Sequence, residues 1–60
     1  MDVYQRNGYK NRRDYLENLA SNHAVPLKVV LELASVLGPE EDFDGLVTMT
    51  EDAEAYFGED

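Results

Sequence analysis

Between Pro26 and the Gly38-Pro39 pair stands the run LKVVLELASVL, in which Leu27, Val29, Val30, Leu31, Leu33, Ala34, Val36 and Leu37 cover nearly the whole circumference of a helix. A helix apolar on so many sides needs cover from its own chain or from another molecule. The chain has only 60 residues to supply that cover, and a domain of this size buries roughly 60% of the surface its unfolded form exposes. There is no cysteine, so neither a disulfide nor a thiolate metal site can reinforce the core. Close packing or self-association must do so, and a dimer is one solution.

Pro26 suits the first position of this middle helix, where its fixed φ fits and its missing N–H costs nothing. Gly38-Pro39 stops it. An earlier helix opens with Asn11 as N-cap and Asp14 three residues on, a capping-box-like pair. Its inward stripe is Tyr15, Leu16, Leu19 and Ala20. A third carries Phe43, Leu46, Val47, Thr50, Ala53 and Phe57 at steps of three and four, with acidic residues in its first turn to complement the helix dipole. The pattern predicts an all-α domain of three helices, near 12–22, 26–37 and 40–57, with the middle one packed between the other two. The expected core is Leu16, Leu19, Val30, Leu33, Ala34, Leu37, Phe43, Leu46, Val47 and Phe57. Residues 1–10, with the turn dipeptide Asn7-Gly8 and no apolar period, read as a flexible lead-in to a single domain over 11–58.

Charge divides the chain. All five basic residues lie at or before Lys28, whereas residues 29–60 hold ten of the thirteen Asp and Glu, for a net charge of −8. Such a C-terminal half repels phosphate and attracts basic partners. Arg6, Lys10, Arg12 and Arg13 with Tyr4 and Tyr9 form a basic, ring-bearing N-terminus, but the acidic remainder opposes nucleic-acid binding. The apolar run is interrupted by Lys28 and Glu32 and is too short to span a bilayer, and the N-terminal residues lack the apolar stretch of a secretory signal. A cytoplasmic location is the expectation.

The segment LASNHAVPLKVV resembles the helix-turn-helix pattern of DNA-binding domains, a resemblance that covers residues 12–37. Leu19 and Ala20 match the inner positions of the first helix, Ala24 takes the turn position usually held by Gly, Val25 follows it, and Val30 and Leu33 face inward from the second helix. The resemblance implies two helices meeting at a steep angle, the second reading base edges in the major groove. The chemistry departs from that pattern. The outward positions would be Pro26, Leu27, Lys28, Leu31, Glu32 and Ser35, with no Arg, Asn or Gln for bidentate base contacts. The supersecondary shape carries over and no DNA-contact residue does.

Glu40-Glu41-Asp42-Phe43-Asp44-Gly45 followed by Glu51 nearly matches a calcium loop, with Glu40, Asp42 and Asp44 as the first ligands and Glu51 as the twelfth. Glu in place of Asp at the first position, and a Gly-Pro break where a helix should feed the loop, argue for the acidic start of a helix instead. His23, the sole imidazole, has no spacing to metal-ligating partners and reads as the close of the first helix. Ser21, Ser35, Thr48 and Thr50 lack a nucleophile-and-base setting, and no phosphate-cradling loop occurs. No cofactor, metal or enzymatic activity is expected.

The leading functional expectation is a small acidic module that self-associates or binds a protein partner through the apolar middle helix, at Leu27, Val29 and Leu31. A second is an inhibitor that mimics nucleic-acid phosphate with Glu40, Glu41, Asp42, Asp44, Glu51, Asp52 and Glu54. In size and charge the chain looks similar to small acidic proteins of phages and mobile elements, some of which block nucleases. A third is a helix-turn-helix DNA-binding protein.

Overall fold

The computed structural model describes residues 2–57. These residues form an all-α domain with the order α1 (Val3–Arg6), α2 (Arg12–His23), α3 (Leu27–Leu37), a 3-10 turn (Pro39–Glu41) and α4 (Gly45–Phe57). The three longer helices α2, α3 and α4 are the three that the sequence predicts. Each of them packs against both of the others, so α3 is one corner of a triangle and not a rod held between two companions.

Residues 2–10 carry more local structure than the flexible lead-in read from the sequence. Asp2 accepts from the Gln5 backbone N–H at 2.9 Å, and the Gln5 side chain accepts from the Asp2 N–H at 3.3 Å. This reciprocal capping box nucleates α1. Asn7-Gly8 ends it, with Gly8 at φ +92°, a conformation open to glycine at no steric cost. Met1 lies outside the described residues.

At the start of α2 the Asn11 side chain accepts from the Asp14 N–H at 2.8 Å, and Asp14 accepts in turn from the Lys10 N–H at 3.0 Å. The expected stripe is buried: Tyr15, Leu16, Leu19 and Ala20 are each 8% exposed or less. The helix then ends in a Schellman motif. Ala24 adopts the left-handed conformation (φ 54°, ψ 40°), its N–H reaches the Ser21 carbonyl, and the Val25 N–H reaches Ala20 O at 3.0 Å. Val25 is buried beside this turn. The alanine therefore fills the turn position that the resemblance assigns it, and the tight α2–α3 corner follows.

Pro26 sits just before α3 as its N-cap, one residue earlier than the sequence suggests, and its carbonyl accepts from the Val29 and Val30 N–H groups. Gly38, at φ +91°, ends the helix. The last helix starts at Gly45 rather than near residue 40. Pro39 opens only a single 3-10 turn, after which Asp42 is drawn into the interior and the chain must re-enter helix. The Glu41 carboxylate accepts from the Gly45 N–H at 3.3 Å. A Cβ at position 45 would lie 2.7 Å from that carboxylate, so glycine permits the close approach.

The core joins Tyr15, Leu16, Leu19, Ala20, Val25, Val30, Ala34 and Leu46, with Thr50 and Asp42 also buried. Leu33 and Leu37 pack against it half-buried, and Val47 is half-buried as well. Two expected core residues are on the outside: Phe43 is 42% and Phe57 44% exposed. Phe43 is turned out because its neighbour Asp42 is turned in, and it lies as a plate on Tyr15 at 4.4 Å between ring centroids. Phe57 lies about one turn beyond Glu54, the residue that meets the end of α2 at His23, and so extends past that helix. Among the described residues no helix is long and apolar enough to cross a membrane.

Candidate interaction surface

The most constrained polar cluster is centred on Asp42, whose carboxylate has no exposure to solvent. Arg12 grips it with two nitrogens, Nε to Oδ2 at 2.6 Å and Nη2 to Oδ1 at 2.9 Å, and the same Nη2 donates to the Ala34 carbonyl at 3.1 Å. Tyr4 donates to Oδ2 and Tyr15 to the Asp42 carbonyl, each at 2.5 Å. Such paired, charge-assisted geometry satisfies a charge that would be very costly to bury alone. Burial, the Asp42 hydrogen bond and the Asp42 charge push the Tyr4 hydroxyl up to about 12, with Arg12 opposing. Tyr15 also stands at about 12, through burial first and then the charge of Asp42. The hydrogen bond to Asp42 raises Arg12 above its ordinary value, with burial opposing.

This cluster ties α1, α2, α3 and the 39–44 segment together. Both carboxylate oxygens and the carbonyl of Asp42 are engaged within the chain, so the cluster is a structural clamp. Sequence reasoning missed it. From the sequence Arg12 reads as one of the cations of a basic N-terminus, and Asp42 as one carboxylate of the acidic run.

The seven carboxylates expected to form an acidic surface do not act alike. Glu40, Asp44, Glu51 and Asp52 are exposed. Asp42 is buried, which removes it from that surface and from any calcium loop. Glu41 caps Gly45, and Glu54 accepts from or pairs with His23 Nδ1 at 2.7 Å. His23 is the last residue of α2, as expected, and it also links that helix to α4. Among the described residues no group of three or more His, Asp or Glu side chains is placed to hold a metal ion.

On α3 only Val30 and Ala34 are buried. The candidate contact residues Leu27, Val29 and Leu31 are half-buried and pack against the core with part of each side chain still accessible. Val36, at 84% exposed, adds a fourth apolar residue that the sequence reading included in the stripe but did not single out. Val29, Leu33 and Val36 follow one another at helical spacing along one flank. The remaining outward positions, Lys28, Glu32 and Ser35, are exposed and carry none of the side chains that read base edges with two hydrogen bonds. Comparison of the chain with protein-family models, curated proteins and solved structures gives no significant match.

Proposed function

We propose that this chain is a small helical module that works by binding protein, a partner or a second copy, through the accessible side of α3 in the cytoplasm. One observation supports the reading. Of the eight apolar residues of α3, packing against α2 and α4 fully buries only Val30 and Ala34, and Val36 stands almost free. Removing such surface from water contributes roughly 25 cal/mol per Å² on association. The phosphate-mimic reading loses support because Asp42, Glu41 and Glu54 are turned to partners within the chain.

The test combines light scattering with affinity capture from a host lysate, using the native chain and Val36→Asp. Position 36 is exposed enough that the variant keeps its fold. The reading expects either a dimer or a captured protein with the native chain, persisting at high salt, and loss of that association in the variant. A strict monomer that captures nothing, or capture that salt abolishes and the variant retains, would contradict it.

A further inference from the structure

We propose that the outer flank of α4 is a second docking face, whose occupant is a basic amphipathic helix of another protein. Met49, Tyr56 and Phe57 are 42%, 79% and 44% exposed. Met49 and Tyr56 are seven residues apart, two turns or about 10 Å along one side of the helix, with Ala53 between them. Tyr56 and Phe57 meet edge to face at 5.2 Å, forming one aromatic end to the row. This is the spacing with which a partner helix presents its own apolar residues.

The charge of the row decides its occupant. Asp52 follows Met49 by three residues and precedes Tyr56 by four, which makes it a neighbour of both on the helix surface. Glu51 is exposed beside it. Within the chain Asp42 meets Arg12, Glu17 meets Arg13 and Glu54 meets His23. Among the described residues Glu51 and Asp52 have no such partner, and the sequence holds no Lys or Arg after Lys28. An occupant with Lys or Arg flanking an apolar strip supplies both missing halves. A second copy set α4 to α4 does not, because it would bring the same Glu51 and Asp52 and no Lys or Arg to this face. This face is separate from the α3 residues of the preceding section, and each stands or falls by itself.

The test titrates the isotope-labelled full chain with an idealised peptide of about 14 residues, Leu on one side and Lys on the other at helical spacing. A scrambled peptide of the same composition serves as control. The expected result is saturable NMR shifts centred on residues 49–57 with the amphipathic peptide only. Met49→Ala with Tyr56→Ser should weaken binding at least about tenfold, and Asp52→Asn about threefold at low salt. Shifts confined to Val29, Leu33 and Val36 would overturn this proposal while favouring the α3 reading. Equal binding of the scrambled peptide, no binding, or shifts that depend only on the chain's own concentration would overturn it as well.

Discussion

Asp42 leaves the acidic run around it and enters the interior to meet Arg12, 30 residues earlier, through two nitrogen–oxygen contacts of 2.6 and 2.9 Å. That pairing sets where α4 begins, turns Phe43 outward and fixes α1 through Tyr4.

Removing one member should therefore cost more than removing a surface pair. Arg12→Ala leaves a buried carboxylate without its cation, and we expect a loss of about 3 kcal/mol, at the low end for a buried pair because Arg12 is 33% exposed on its side chain. Arg13→Ala, which breaks the exposed pair with Glu17, should cost under about 0.5 kcal/mol. Urea unfolding followed by circular dichroism measures both. Equal effects would show that the clamp carries no special weight.

Alkaline pH should unfold the protein through Tyr4 and Tyr15. Both hydroxyls stand at about 12 in the folded chain against about 10 unfolded. Their contribution is complete below pH 10 and is lost as pH rises from 10 towards 12, because the unfolded chain releases those protons first. Melting temperature should fall across that window, and less steeply in Tyr15→Phe. A flat profile to pH 12 would contradict the assignment.

The turn residue Ala24 has a left-handed φ of 54°, which disfavours any Cβ. Ala24→Gly relieves that strain at some entropic cost in the unfolded chain, for a net gain of about 0.5–1 kcal/mol. Differential scanning calorimetry should register a higher melting temperature. A lower one would place the value of this residue in its methyl group.

Thr50 is fully buried, and its hydroxyl has no hydrogen-bond partner among the described residues. Thr50→Val keeps the shape and removes the unsatisfied group, so stability should rise by about 1 kcal/mol. Destabilisation on the same scale would mean that the hydroxyl is satisfied in solution.

What could be read from the sequence was local. Asn11 and Asp14 announce the start of α2, the Tyr15–Ala20 stripe gives its buried side, and Ala24-Val25-Pro26 gives the corner, because caps and periodicity act within a few residues. Arg12–Asp42 was beyond such reasoning, since nothing near either residue signals a partner so far away in the chain. The errors at residues 40–44 and at Phe43 follow from that omission: helical periodicity continues through the run, and only the pull on Asp42 interrupts it. The short α1 was missed for a similar reason, as four residues show no period and its Tyr4 is held by the same distant carboxylate. For the interaction surface, the sequence indicated α3 through its excess of apolar residues. Which of them stay accessible depends on how α2 and α4 settle around it.

Photocrosslinking from position 36 in host cells tests the interface on α3 most directly, with the exposed Asn18 of α2 as the control position. The account predicts a discrete protein adduct, a partner or a second copy, from position 36 and none from position 18. No adduct from position 36, or the same adducts from both positions, would contradict it.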